Sequence, residues 1–154
     1  MAGRIDQRLA DLGITLPTPA APIANYVPFV VTGNLVVISG QIPLVDGKVA
    51  FTGKVTEDIT PDRAKEAARA CFVNLLAQLK AATGDLDRVK RVVRLGGFIA
   101  APSSFTGHAG VMNGASDLAV EVFGDAGRHA RTTIGVPSLP ADAAVEVEGL
   151  FEIA

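Results

Sequence analysis

The chain has 154 residues, a length typical of one domain and sufficient to bury a core without disulfides or a structural metal. Hydrophobic residues make up 49% and charged residues 19%, the globular balance, and with a formal charge of -2 and no cluster of about five or more Lys and Arg the footprint of a nucleic-acid binder is missing. One cysteine, Cys71, excludes an internal disulfide, and the two histidines, His108 and His129, supply no metal-ligand spacing, so no metal is expected.

Arg4 to Leu12 carries Ile5, Leu9 and Leu12 at helical spacing and stops at Gly13, predicting a short amphipathic helix. Charges stand where a signal peptide needs its apolar stretch, and no apolar run reaches the ~18 residues of a membrane span, so a cytoplasmic protein is expected. Pro17, Pro19 and Pro22 follow and forbid both helix and interior strand. Residues 1–22 are therefore read as an N-terminal helix and Pro-rich extension, and residues 23–154 as the main domain.

Val27 to Thr32 and Leu35 to Ser39 are β-branched, apolar runs separated by Gly33-Asn34, a tight hairpin signal; Asp46-Gly47 signals a second. Thr60-Pro61-Asp62 supplies an N-cap, a helix-compatible proline and a first-turn acid. A stripe of Ala64, Ala67, Ala68, Cys71, Leu75 and Leu79 then predicts a helix ending near Gly84. Cys71 lies in that stripe and reads as a buried small hydrophobe. Val89 to Ala100 reads as a central strand broken at Pro102. Met112, Ala115, Leu118, Ala119, Val122 and Phe123 mark a helix stopping at Gly124. Gly107-His108-Ala109-Gly110 lacks the Lys and the spacing of a phosphate loop. Two final strands, Arg131 to Val136 and Ala143 to Phe151, are expected as neighbours joined by a Pro-containing turn. The expected fold class is α+β, a two-layer sandwich with a mostly antiparallel sheet and two major helices on one face.

Alternation in the last strand sends Val145 and Val147 to one face and Glu146 and Glu148 to the other. Arg131, Thr133 and Gly135 share a face of the preceding strand, which makes Arg131 a candidate neighbour of a glutamate across the hairpin. One reading is a cross-strand ion pair on an exposed sheet, contributing a few tenths of a kcal/mol to ~1 kcal/mol. The other is a site in which Arg131 offers its planar fork to a substrate carboxylate while a glutamate handles water or a proton. Local pattern leaves both open. His129, two residues before Arg131, reads as a surface-loop histidine.

Tyr26, the run Ser39-Gly40-Gln41-Ile42-Pro43, Asn113, Arg131-Thr132-Thr133, Leu139-Pro140 and Val145-Glu146-Val147-Glu148 stand in an order and at spacings that resemble the YjgF family. That family is also called Rid, for reactive-intermediate deaminase, or endoribonuclease L-PSP. The resemblance spans roughly Ile23 to the C-terminus. It implies a chorismate-mutase-like sandwich assembled as a homotrimer, with sites in clefts between subunits and no cofactor. It assigns Arg131 to the carboxylate of a 2-imino acid and Glu146 to the attacking water, with Tyr26, Ser39, Asn113 and Thr133 lining the same cleft. Thr133 stands where better-known members carry a cysteine, which removes thiol chemistry and keeps a backbone role. The expected reaction is hydrolysis of a 2-aminoacrylate-type enamine or imine to a 2-oxo acid and ammonia. The alternative is binding or sensing of small carboxylates without turnover. Ribonuclease activity is disfavoured by the acidic pI and by the absence of an aromatic-basic strip.

Overall fold

In the computed structural model, which describes residues 3–22 and 24–154, the chain opens with helix α1 (Arg4–Asp11). Met1, Ala2 and Ile23, the last of these the expected start of the main domain, lie outside the described residues. Ile5 and Leu9 bury the apolar stripe of α1, and Gly13 at φ 72° turns the chain away. No side chain next to the helix caps its first turn. Asp87, far along the chain, accepts hydrogen bonds from the backbone N–H of Arg4 and of Ile5, both at 2.8 Å. Those N–H groups, Ile5 first, hold the exposed Asp87 carboxyl below its usual range.

Strands β1 (Phe29–Thr32) and β2 (Leu35–Gln41) form the first hairpin, with Thr32 opposite Leu35 and Gly33 at φ 59°. The short strands β3 (Leu44–Val45) and β4 (Lys48–Val49) form the second. Their turn residues Asp46 and Gly47 both have positive φ, 53° and 78°, as a two-residue hairpin turn requires. Helix α2 (Pro61–Thr83) starts at the predicted cap, where Thr60 Oγ1 accepts from Arg63 N at 3.2 Å, and ends at Gly84 with φ 76°. Strand β5 (Val89–Ala100), helix α3 (His108–Phe123), and strands β6 (Ala130–Val136) and β7 (Val145–Ile153) complete the chain.

The main sheet has the order β1-β2-β7-β5-β6. The two last strands, expected side by side, are not neighbours: β5 lies between them, antiparallel to β7 and parallel to β6. A parallel pair cannot be closed by a short turn, and α3 provides the crossover. The connection from β6 to β7 contains Pro137 and Pro140 and passes over the end of β5. There Ala100 N–H donates to Ala144 O at 2.9 Å, and Ala144 N–H to Phe51 O at 3.1 Å. The sheet is therefore mixed but mostly antiparallel, and the fold is the α+β two-layer sandwich expected.

Helices α2 and α3 cover one face, where Val36, Ile38, Val92, Leu95, Ile99, Val145, Val147 and Phe151 are buried. The other face carries Val30, Val37 and Ile134, each about half exposed, together with Phe98 and the β7 glutamates. Within the helical layer, the backbones of α3 and α2 are in close contact at Gly114, where a Cβ would overlap the carbonyl of Lys65. Because backbone rather than a flexible side chain would be struck, Gly114→Ala is expected to destabilise the fold by about 1–3 kcal/mol or more. A urea titration would show a lower midpoint with an unchanged slope.

Candidate active site

The candidate residues fall into two groups, built on different parts of the sheet. β7 positions the first. Its buried valines, Val145 and Val147, face the helices, so Glu146 leaves on the open face opposite Phe98 of β5. Gly40 lies directly beneath the carboxylate: a Cβ there would overlap Glu146 Oε2 and stand 2.9 Å from its Cδ. β2 makes this approach by slipping register between Ile38 and Gln41, a bulge against β7. The glycine in Ser39-Gly40-Gln41 thus serves close approach rather than a left-handed backbone, and a side chain there would have to displace the Glu146 carboxylate.

Glu146 borders a cavity of about 160 Å³ lined by Ala20, Ala21, Pro22, Tyr26, Pro28, Ile42, Leu44 and Pro140. Burial among these largely apolar groups, and secondly the charge of Glu148, push its carboxyl above the usual carboxylate range. Ser39 Oγ donates to Val27 O at 2.8 Å, fastening the segment that carries Tyr26 to β2. Its hydroxyl is engaged with backbone, so Ser39 positions this wall. Behind Glu146, the Cys71 thiol donates to Val145 O at 3.5 Å; burial first, and then Glu146, raise its pKa well above the ordinary value. The reading of Cys71 as a buried hydrophobe therefore stands.

Two buried amides of α2, not singled out in the sequence, hold the walls of this cavity. Asn74 Nδ2 donates to the carbonyls of Leu44 at 3.0 Å, Ala70 at 3.0 Å and Ile42 at 3.3 Å. One turn on, Gln78 Nε2 donates to Ala20 O at 2.8 Å, tying the Pro-rich extension to the helix. Their spacing of four on a helix otherwise buried by apolar residues was the legible signal.

The second group is built on β6 and α3. Arg131 turns toward α3, where its Nη1 donates to Asn113 Oδ1 at 2.8 Å and Ser116 Oγ at 3.0 Å, and its Nη2 to Ala109 O at 3.4 Å. Ser116 Oγ also lies 2.8 Å from His129 Nε2, and His129 Nδ1 lies 2.6 Å from Gly127 O. His129 lies in the loop before β6, as read from the sequence, but it is part-buried and bonded through both ring nitrogens. Ser116 was missed, although Asn113 and Ser116 stand three apart on one helix face, with His129 two residues before Arg131 at the entry to β6. Thr133 follows Arg131 on the same face, and its Oγ1 is buried with no hydrogen-bond partner among the described residues.

The structure does not bring the two groups together within one chain. Leu95 of β5 pairs with Arg131 on one side and with Gly149 on the other, so a full strand separates β6 from β7. Arg131 lies on the helix face and Glu146 on the open face. The cross-hairpin ion pair considered from the sequence is thereby excluded for Arg131 with Glu146. Asn113 is joined to Arg131, while Tyr26 and Glu146 share the apolar cavity. Among the described residues, no group of three or more His, Cys, Asp or Glu is placed to hold a metal. Among the described residues, no helix is long and apolar enough to cross a membrane.

A family model described as "YjgF/chorismate mutase-like, putative endoribonuclease" matches residues 6–152. The match begins within α1, upstream of the Ile23 from which motifs were legible. Protein TCP17 of Trypanosoma cruzi is 48% identical over 153 residues, covering 99% of this chain and 96% of its own. The crystal structure of a protein of unknown function from Agrobacterium tumefaciens aligns with a TM-score of 0.92 at 48% identity, covering 97% of this chain and 92% of that one. A Shewanella oneidensis protein given the same endoribonuclease description aligns with a TM-score of 0.95 at 36% identity, covering 98% and 100%.

The raised carboxyl of Glu146 has a consequence for stability. A group whose pKa rises on folding favours the fold below its unfolded value, about 4.3 for Glu, and that contribution is lost as pH rises through the folded value. Glu146→Gln is expected to raise the thermal midpoint at about pH 7, where the wild type holds a half-buried charge, and to give no gain at about pH 3.5. Thermal unfolding of both proteins across that range reads the crossover.

Proposed function

The chain belongs to the YjgF/chorismate-mutase-like family, and on that premise we propose that it hydrolyses 2-imino or enamine acids of the 2-aminoacrylate type to 2-oxo acids and ammonia. One observation carries the reading: the fold provides a braced guanidinium and, separately, a half-buried carboxyl of raised pKa in an apolar cleft. These are the two parts that addition of water to a carboxylate-bearing imine needs. Arg131 binds the carboxylate and orients C2. Glu146, ionised, takes a proton from the attacking water as oxygen bonds to C2 and the imine nitrogen becomes an amine. Protonated, it returns that proton to nitrogen and completes the carbinolamine; the hydroxyl proton then passes by way of Glu146 to nitrogen as the C–N bond breaks, releasing ammonia and leaving the 2-oxo acid. A carboxyl of raised pKa suits this role, because its ionised form is a stronger base toward water than an ordinary carboxylate. The Tyr26 hydroxyl and the backbone near Thr133 complete the polar lining, and Ser39 holds the Tyr26 segment.

Because β5 separates Arg131 from Glu146 and the two face opposite ways, a single chain does not surround one small substrate with both. A neighbouring copy does so if the clefts lie between subunits of a homotrimer. The open face supports that assembly: Val30, Val37 and Ile134 are about half exposed there, and β6 is an edge strand. Light scattering is expected to give the mass of three chains.

The separation of the two groups also favours a second reading, in which Arg131 binds 2-oxo acids without turnover. Ammonia release from an imino acid generated in situ by an amino-acid oxidase distinguishes them. The wild type is expected to accelerate release over buffer; no acceleration would sink the deaminase reading and leave binding. Arg131→Ala is expected to lower kcat/KM by about 100-fold, and Glu146→Gln to lower kcat with KM little changed. Arg131→Ala turning over normally would remove the carboxylate clamp even with the activity intact. The endoribonuclease description of the family draws no support here from a formal charge of -2 without a basic strip.

A further inference from the structure

We infer that Ser116 and His129 are positioning residues that lock the guanidinium of Arg131, so that it meets a carboxylate with its Nε–Nη2 edge. The Gly127 carbonyl can only accept, so the 2.6 Å contact places a proton on His129 Nδ1. In the neutral ring Nε2 is then an acceptor, and the partner 2.8 Å away, Ser116 Oγ, supplies the hydrogen. Having given its one proton to the imidazole, Ser116 turns a lone pair toward Arg131 and accepts from Nη1 at 3.0 Å. Asn113 Oδ1 takes the other Nη1 proton at 2.8 Å. Both protons of Nη1 are thereby committed.

Nη2 spends one proton on the long contact to Ala109 O at 3.4 Å. Its other proton, and that of Nε, have no partner among the described residues. They point the same way, at the spacing of the two oxygens of a carboxylate. Approach through Nη1 and Nη2 would have to displace Asn113 or Ser116. The relay runs in one direction, from guanidinium to serine to imidazole to carbonyl, and the opposite ring tautomer would leave the Gly127 carbonyl facing a lone pair. Helix α3 contributes Asn113 and Ser116, the residues before β6 contribute His129, and β6 contributes Arg131, so the network ties the edge strand to the helix.

The relay stands on hydrogen-bond geometry alone; the edge it presents rests on the reading of Arg131 as a carboxylate clamp. The two are tested separately on the full-length chain. For the relay, long-range proton–nitrogen correlation spectra are recorded at about pH 8, above the ordinary imidazole range, with His108→Asn removing the one other histidine. His129 is expected to show a protonated Nδ1 and an unprotonated, hydrogen-bonded Nε2, and Ser116→Ala to shift Nε2 toward the value of a free acceptor. An Nε2–H tautomer in the wild type, or a Ser116→Ala spectrum unchanged from it, would overturn the relay.

For the edge, the probe is 2-oxobutanoate. Its binding is expected to shift the Arg131 Nε–H resonance, with Ser116→Ala weakening it about tenfold and Ser116→Thr, which keeps the hydroxyl, by less than about threefold. Under turnover Ser116→Ala is expected to raise KM about tenfold with kcat changed less than about threefold. Equal losses in the Ala and Thr variants, or a silent Nε–H, would overturn the positioning role. Should the wild type neither bind 2-oxobutanoate nor turn over, the clamp falls and the edge assignment with it, whereas the histidine spectrum still decides the relay.

Discussion

The alternation of β7 is the constraint on which the rest of the molecule depends. Flanked by β2 and β5 at the middle of the sheet, this strand sends Val145, Val147, Phe151 and Ile153 under the helices. A slip of one residue would exchange that buried set for Glu146, Glu148 and Glu152, which no core could accept unpaired. Register is therefore fixed by burial, and fixing it commits Glu146 to the open face at the height of Phe98. The bulge in β2 and the missing side chain at Gly40 are adjustments to that commitment, because they let the carboxyl lie flat against the neighbouring strand. Burial of the valines thus places the carboxylate.

The two charged groups are handled in opposite ways. Arg131 is held by side chains: one guanidinium nitrogen is bonded to Asn113 and Ser116, so what it gives up in freedom is settled before any ligand arrives. Glu146 is held by surroundings: apolar walls and a second glutamate disfavour its charge, and no hydrogen bond to it compensates among the described residues. A braced cation suits recognition, and a carboxyl kept uneasy by burial suits proton exchange. The proposed division of labour follows from this contrast. It also locates where the fold forgoes stability, at Glu146 and at the unpartnered hydroxyl of Thr133.

Helix α2 links the scaffold to the cleft. Its apolar stripe packs under β7 and α3, while Asn74 and Gln78 reach out of the same buried surface to hold the segment around Ile42 and the Pro-rich extension. Ala20 lies in irregular backbone outside any helix or strand, and the Gln78 amide supplies its carbonyl with a donor. The N-terminal extension is thereby part of the cleft wall, and α1, capped from a distance by Asp87, anchors its near end.

Local chemistry made much of this legible in the sequence. The Gly33-Asn34 and Asp46-Gly47 turns, the Thr60-Pro61 start and Gly84 stop of α2, and the alternation of β7 each follow from backbone permissiveness or burial within a few neighbouring residues. The resemblance added the family and pointed to Arg131 and Glu146. What it could not reach was everything that depends on strand order. Adjacency in sequence argued for β6 beside β7, whereas covering β5 with α3 puts β5 between them and turns Arg131 and Glu146 to opposite faces. The same folding joined His129 to Ser116, thirteen residues apart, and Gln78 to Ala20, fifty-eight apart. Period and propensity describe which side of its own element a residue occupies; which element faces that side is decided only when the layers pack.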